Sequence, residues 1–236
     1  MLIDGKRVDE SEYQLTLLYK YIFMSKEYEI IMGLETHVRI KSNTKMFCSC
    51  ANALELAPEP NIHVCPVCMA FPGQLPVLSE WVVDLAVRAS HALRSKVEEV
   101  SIFDRKSYFY PDLPMGYQIT QLYHPIANGG EVKTMIDGEV KTFRIHHMHI
   151  ENDAGKLIHV SGKTLCDYNR AGSPLMEIVT EPDFRSKWDV IGYLEELQKL
   201  MRWCGASDAD MEKWQLRCDV NISVREKWET GFRNRV

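Results

Sequence analysis

Four cysteines lie in two close pairs whose spacing suits a metal ion. The pairs are Cys48 with Cys50 and Cys65 with Cys68, and fourteen residues separate them. Zinc takes four soft ligands at the corners of a tetrahedron, and two thiolates one or two residues apart supply two corners. Because all four ligands are cysteine, no coordination position stays open for a substrate. The spacing therefore predicts a structural zinc site that orders the intervening loop.

Two alternatives for these cysteines remain open, namely four buried thiols or a redox pair at Cys65 and Cys68. Four thiols within 21 residues argue against chance burial. The flanking sequence also lacks the strand–helix–strand pattern that surrounds redox pairs. The other three cysteines, Cys166, Cys204 and Cys218, are expected to be ordinary thiols.

Carboxylates and histidines recur on predicted strands, where they could bind a cation or transfer protons. Glu35 and His37 share one face of a strand over residues 28–40, since side chains alternate along a strand. Such a pair can ligate a divalent ion or act as an acid/base couple. A second set shares a face if its strand runs on: His147, His149, Glu151 and Asp153. A third acidic group, over 167–183, includes Glu177. Spacing alone does not show that the three sets converge.

The elements that must position these groups are mostly strands. Alternation and turn signals predict strands over 28–40, 100–110, 117–123, 131–136, 144–151 and 215–225, with a hairpin turn at Asp137-Gly138. Helical periodicity predicts helices over 79–94, capped by Ser79, and over 187–203, capped by Ser186 with Asp189 in its first turn. The core stripe of the second helix is predicted as Val190, Leu194, Leu197 and Met201. This arrangement favours an α+β fold, mainly antiparallel sheet with a few helices.

Composition narrows the class of protein. The chain is 45% hydrophobic and 26% charged, with a net charge of −5. No apolar run approaches the roughly 18 residues that cross a membrane. The polar, acidic N-terminus is not a secretory signal, so we expect a cytoplasmic protein without membrane contact. The acidic balance argues against a stand-alone RNA-binding module, because such modules carry basic surfaces.

Residues 1–25 are interpreted as an N-terminal extension, with a short amphipathic helix over Tyr13–Phe23. Alternatively, Met24 is the true start of the protein. A single domain over 26–236 follows. The closing residues show no terminating element, so we expect the sequence to be truncated at its C-terminal end.

Six segments in order resemble a known family: IMGLETHVRIKSNTKMFC, NIHVCPVCMAFPGQLPVL, FDRKSYFYPDLPMGYQIT, IENDAGKLIH, DYNRAGSPLMEIVTEPD and LRCDVNISVR. Together they resemble GatB, the B subunit of the glutamyl/aspartyl-tRNA amidotransferases, from about Tyr28 to the end. The stretch that begins at Asp167, DYNRAGSPLMEIV, is the most specific of them.

The resemblance implies a "cradle" domain of antiparallel sheet in a ligase that forms carbon–nitrogen bonds. It implies that ATP and Mg²⁺ phosphorylate the side-chain carboxylate of misacylated Glu-tRNA(Gln) or Asp-tRNA(Asn). In the heterotrimer GatCAB, the A subunit releases ammonia from glutamine, and this ammonia displaces phosphate. The small C subunit holds the other two together. Family members continue into helical and tail domains that grip the tRNA, and we expect this sequence to lack both.

The resemblance also implies site residues. Four match the positions that surround the magnesium ion: Glu35, His37, Glu151 and Glu177. Four more are expected to bind phosphate or carboxylate: Arg105, Lys106, Lys156 and Arg170. Two positions depart from the family pattern, since Asn152 stands where Glu is frequent and Met115 where Lys is frequent.

A second hypothesis is a non-catalytic, zinc-dependent RNA-binding or assembly module. It accounts for the cysteines and the length of the chain. It leaves the pair of Glu35 and His37 and the acidic group over 167–183 unexplained.

Overall fold

The fold was obtained as a computed structural model, which describes residues 2–3, 6–7, 27–52 and 59–231. The predicted helix over Tyr13–Phe23 lies outside the described residues. The described elements, in chain order, are β1 (Leu2–Ile3), β2 (Lys6–Arg7), β3 (Tyr28–Arg39), α1 (Glu80–Ala92), β4 (Lys96–Val97), β5 (Ile102–Ser107), β6 (Tyr117–His124), β7 (Ala127–Asn128), β8 (Glu131–Ile136), β9 (Glu139–Asn152), β10 (Lys156–Val160), β11 (Lys163–Asp167), β12 (Pro174–Thr180), α2 (Lys187–Trp203) and β13 (Leu216–Glu226).

The main sheet has seven strands in the order β13-β3-β12-β9-β7-β4, and β8 pairs with β9 beside this path. Every pairing in it is antiparallel. β5 pairs with β6 and β10 pairs with β11 in two further two-stranded sheets. The predicted α+β class with mainly antiparallel sheet is confirmed.

One face of the main sheet is the hydrophobic core. Leu34 and Val38 of β3 and Ile178 of β12 point to this face and are fully buried. Side chains of both helices join the same cluster, including Leu85 of α1 and Leu197 of α2. Because strand side chains alternate, the residues between these apolar positions must lie on the opposite face. That opposite face carries the polar groups of β3, β9 and β12, and it is called the polar face below.

Helix α2 begins as the sequence predicts. The hydroxyl of Ser186 accepts a hydrogen bond from the Asp189 N–H, and the Asp189 carboxylate accepts one from the Ser186 N–H, which together form a capping box. Leu197 and Met201 are buried as predicted, whereas Val190 and Leu194 are only partly buried against the core. The remaining buried apolar residue of the helix is Tyr193, which was not predicted. It packs edge-on against the stacked rings of Phe143 and Phe184, and these three aromatic rings join the helix to the sheet.

Helix α1 departs from the prediction at its start. Ser79 occupies the N-cap position, but its side chain makes no capping hydrogen bond. Its backbone N–H instead bonds to the Met46 carbonyl at 2.9 Å. The helix start is therefore fixed by a backbone contact to the segment before the cysteine loop.

Two predicted strands have different bounds in the structure. The predicted strand over 100–110 ends at Ser107 as β5, and the segment beyond it contains Pro111 and Pro114, which cannot donate a backbone hydrogen bond. The predicted strand over 144–151 is the second half of β9, which starts at Glu139. Asp137 and Gly138 both have positive φ, of 52° and 82°. They form the predicted tight turn between β8 and β9.

Asp189→Ala is expected to lower the free energy of unfolding at neutral pH by about 1–2 kcal/mol, because the capping box loses the carboxylate that accepts from the Ser186 N–H and pairs with Lys141. Burial raises the pKa of Asp189, but hydrogen bonds from Lys141, Arg185 and Ser186 outweigh it and hold the pKa below its usual value. A carboxylate with a depressed folded-state pKa stabilises the fold above its unfolded pKa, and this contribution is lost as the pH falls through the folded pKa.

Denaturant unfolding at neutral and at acidic pH measures this contribution. The gap in the free energy of unfolding between wild type and Asp189→Ala should narrow at acidic pH. Glu195→Ala, on the exposed side of the same helix, should change the free energy of unfolding little at either pH. An equal gap at both pH values would contradict the assignment.

In the part of the chain that the structure describes, neither helix is long and apolar enough to cross a membrane.

Candidate active site and metal centre

Strand register brings an acidic and histidine-rich group together on the polar face. His37 of β3 lies opposite Glu177 of β12, and Glu177 lies opposite His149 of β9. The three side chains therefore form one row across the sheet. Glu151 is two residues beyond His149 on the same strand, so it points to the same face. His37, His149, Glu151 and Glu177 are called the acidic row below.

Distances within the acidic row are short. His37 Nε2 lies 3.4 Å from Glu177 Oε2 and 3.7 Å from Glu151 Oε1. His149 Nε2 lies 3.1 Å from Glu177 Oε2 and 3.7 Å from Glu151 Oε2. His37, Glu151 and Glu177 can each bring one ligand atom within 4.8 Å of the other two. The row therefore has the geometry of a cation site.

The carboxylates of the row attract positive charge, which here is carried by the neighbouring imidazoles. Burial lowers the pKa of His149, but Glu151 and Glu177 outweigh it and raise the pKa to about 9. Burial likewise lowers the pKa of His37, and the same carboxylates raise it above its usual value overall. For Glu177 burial raises the pKa, while hydrogen bonds from His149 and His37 hold it well below its usual range. The positive charge on the two flanking imidazoles thus keeps the Glu177 carboxylate ionised.

A divalent ion fits this donor set. Carboxylate oxygens with imidazole nitrogen can bind hard or borderline divalent cations. His149 Nδ1 is buried without a hydrogen-bond partner among the described residues, although buried polar atoms in proteins are normally bonded.

The structure separates Glu35 from the acidic row. Its Oε1 accepts a hydrogen bond of 3.0 Å from Asn221 Nδ2 of β13. Its register partners are Asp219 of β13 and Val179 of β12, so it lies one row further along the polar face. The role of Glu35 as a metal ligand stays a prediction.

The set predicted to share a face on β9 continues only in part. His147 stacks on His149 with ring centroids 5.3 Å apart, and Glu151 follows on the same face. The strand ends at Asn152, so Asp153 is not part of it. Its buried carboxylate lies 3.5 Å from Arg170 Nε.

The four predicted cations lie in different surroundings. Arg170 donates to the carbonyls of Ala154 and Gly155 at 3.0 and 2.6 Å, close to Glu151 in sequence. The Arg105 guanidinium lies 4.5 Å from the centre of the Tyr117 ring. Three of the four are exposed, namely Arg105, Lys106 and Lys156. Their contact with phosphate stays a prediction, and Arg170 alone of the four is joined to Asp153.

Of the two departures from the family pattern, Asn152 has a structural role. Asn152 is buried, and its Oδ1 accepts a hydrogen bond of 2.6 Å from the Ile119 N–H. It therefore points away from Glu151 and fastens β9 to β6. Met115 lines a small cavity beside Cys48 and Cys68. Neither residue belongs to the acidic row.

Sequence reasoning missed two residues of the polar face. His149 is a candidate by its spacing of two from Glu151, but the site residues implied by the resemblance do not include it. Arg217 of β13 lies opposite His37. No local pattern marks Arg217, because its pairing joins residues far apart in sequence.

The structure brings the four predicted cysteines together in a group that could hold a metal ion, and zinc at this group stays a prediction. The sulfur atoms of Cys48, Cys50, Cys65 and Cys68 all lie within 4.8 Å of one another. Tetrahedral zinc with its usual bond length places sulfurs about 3.8 Å apart, so small movements complete the site. The Cys65 N–H also donates to Cys68 Sγ at 3.2 Å, which fixes the turn between them.

One sulfur of this group is held as a thiolate. A hydrogen bond from Cys48 lowers the pKa of Cys68 to about 5, and the ammonium of Lys45 acts in the same direction. Lys45 is fully buried, with Nζ 3.8 Å from Cys68 Sγ and 2.6 Å from the His63 carbonyl. A buried cation beside the sulfurs would offset the negative charge that four thiolates would bring to one zinc ion.

Hydrogen bonds join the cysteine loop to the turn over 166–173. The Asn61 side chain accepts from the Tyr168 N–H at 2.7 Å and donates to the Cys166 carbonyl at 3.1 Å. Asn169 Oδ1 accepts from the His63 N–H at 2.8 Å. The same turn carries Arg170. The cysteine loop therefore supports the segment that leads into β12, the strand of Glu177.

The structure thus defines an α+β domain in which a loop brings four cysteines together and an antiparallel sheet carries the acidic row. Residues 30–236 match the family model described as the GatB/GatE catalytic domain, and the chain belongs to this family.

Curated relatives agree with this family. The chain is 52% identical over 210 residues to the B subunit of the aspartyl/glutamyl-tRNA(Asn/Gln) amidotransferase of Persephonella marina, covering 89% of this chain and 44% of the relative. It is 49% identical over 212 residues to the protein of the same name from Carboxydothermus hydrogenoformans, covering 88% and 44%. The chain thus spans less than half the length of these relatives.

Proposed function

We propose that the chain is the part of a tRNA-dependent amidotransferase, within its B subunit, that activates and amidates a carboxylate attached to tRNA. The substrates are Glu-tRNA(Gln) and Asp-tRNA(Asn), and the products are Gln-tRNA(Gln) and Asn-tRNA(Asn). ATP is the phosphoryl donor, and ammonia comes from an A subunit that is held in place by a C subunit. The setting is the cytoplasm. The observation that carries the proposal is the acidic row on the polar face.

Acyl-phosphate formation requires neutralisation of negative charge more than covalent catalysis by the protein. His37, Glu151 and Glu177 would hold Mg²⁺, which supplies that neutralisation at the phosphates of ATP. His149 contacts both carboxylates and keeps them in place. Zinc at the cysteine group would be structural, since its four ligands leave no open position.

The alternative of a non-catalytic zinc-dependent module gives no reason for the acidic row. Two carboxylates that are largely shielded from water are costly to keep ionised on a surface that only binds RNA. Their convergence with two imidazoles favours the catalytic proposal.

The proposal is tested with the heterotrimer, in which the protein is assembled with its proposed A and C partners. The enzyme receives misacylated tRNA, ammonium, Mg²⁺ and ATP labelled on the γ-phosphate. Amide and labelled inorganic phosphate should form together, and neither should form when Mg²⁺ is chelated. Amide formation at the full rate without ATP would refute the proposal.

A further inference from the structure

A further cation lies next to the acidic row. Arg217 of β13 pairs in register with His37, which extends the row across a fourth strand. Its Nη2 lies 3.4 Å from both carboxylate oxygens of Asp153. The Asp153 N–H bonds to the Ser173 carbonyl, just before β12.

This pairing fixes where the guanidinium lies. β12 and β13 flank β3 on opposite sides, and two strand spacings amount to about 10 Å. To reach Asp153 beside β12, the side chain of Arg217 must cross the polar face over β3. It therefore lies across the end of β3 that carries His37.

Two arginines share the carboxylate of Asp153. Its single buried carboxylate contacts Arg170 at 3.5 Å and Arg217 at 3.4 Å. Arg170 is fixed further by the carbonyls of Ala154 and Gly155. Contacts of 3.4 Å are longer than the 2.7–2.9 Å or so of a strong charged hydrogen bond. The side chain of Arg217 is 31% exposed, so it is anchored by Asp153 and still accessible from the polar face.

We propose that Arg217 contacts the γ-phosphoryl group of ATP and that Asp153 positions it; this inference rests on the proposed function. In that step an oxygen of the substrate carboxylate bonds to the γ-phosphorus, and the bond from phosphorus to the bridging oxygen breaks, which releases ADP. Ammonia then bonds to the acyl carbon, loses a proton, and inorganic phosphate leaves. The guanidinium stays protonated throughout and neutralises the charge on the phosphoryl oxygens.

The test compares Arg217→Ala and Arg217→Lys with the wild type in the assembled enzyme. Calorimetric titration measures the affinity for ATP and for ADP, each with Mg²⁺. Arg217→Ala should bind ATP about tenfold more weakly and ADP nearly as well as the wild type, because one charged contact to the γ-phosphate is lost. Its amidation rate should fall about 10²-fold or more, and millimolar guanidinium should restore part of it. The ATP affinity and the amidation rate of Arg217→Lys should lie between those of Arg217→Ala and the wild type.

Arg225→Ala is the matched control. Arg225 lies eight residues further along β13 and pairs with Glu29 at 2.8 Å, away from the acidic row. Its ATP and ADP affinities should equal those of the wild type.

Equal loss of ATP and ADP affinity without guanidinium rescue would show a structural role and overturn the inference, as would unchanged affinities in a folded Arg217→Ala. If Arg217→Ala does not fold, the ratio of ATP to ADP affinity in Arg217→Lys decides. A wild type that does not bind ATP refutes the proposed function itself.

Discussion

Glu177→Gln is expected to lower the rate of ATP-dependent amidation by about 10³-fold, because it removes several kcal/mol of charge stabilisation. Glu177 lies between His37 and His149 and contacts both imidazoles. The amide keeps the size of the side chain but carries no negative charge, so one ligand of the proposed metal is lost. Steady-state amidation at increasing Mg²⁺ concentration measures the effect, and excess Mg²⁺ should restore activity only in part.

Glu181→Gln is the matched control for this variant. Glu181 follows β12, four residues beyond Glu177, and its backbone N–H bonds to the Arg144 carbonyl. The same chemical change outside the acidic row should leave both the rate and the Mg²⁺ dependence near those of the wild type. Normal turnover in a folded Glu177→Gln would remove the acidic row from the mechanism.

Cys65→Ser is expected to abolish zinc binding and to lower the free energy of unfolding by about 3 kcal/mol or more. Structural zinc contributes about 10 kcal/mol of binding free energy in small domains, which is large against a total stability of about 5–15 kcal/mol. Elemental analysis should find about one zinc per chain in the wild type and none in the variant, and denaturant unfolding measures the stability.

Cys204→Ser serves as the control for the zinc prediction. Cys204 follows α2, and its thiol donates a hydrogen bond to the Met201 carbonyl, outside the cysteine group. Its substitution should leave the zinc content unchanged. If Cys65→Ser kept both its zinc and its stability, the cysteine group would not be a structural metal site.

The sequence predicted those elements whose signals are local. The strand over 28–40 is β3, and the helix over 187–203 has the predicted bounds, because Ser186 and Asp189 form a capping box within one turn. Ser79 shows the limit of such local signals, because it occupies the N-cap position without making a capping hydrogen bond. The residue type suits a cap, yet the contact that fixes the helix start comes from Met46, more than thirty residues away.

The site was predictable in composition but not in arrangement. Alternation placed Glu35 and His37 on one face, yet the register of β12 and β13 decides which neighbours each one meets. His37 meets Glu177, while Glu35 meets Asn221. Register between distant strands follows from the packing of the whole sheet rather than from local pattern. For the same reason Arg217 gave no signal in the sequence.

The pairing of β3 with β13 has a consequence for the order of events during synthesis. The hydrogen bond between Asn221 and Glu35 spans 186 residues of chain. Contacts of such sequence separation form slowly, since a long loop must close first. A nascent chain that stops short of Leu216 holds β3 with one edge unpaired, and unpaired edges promote association between chains. Docking of β13 covers that edge and delivers Arg217 in the same step. The polar face is therefore complete only once β13 has paired with β3, and from that point this edge of β3 can no longer associate with another chain.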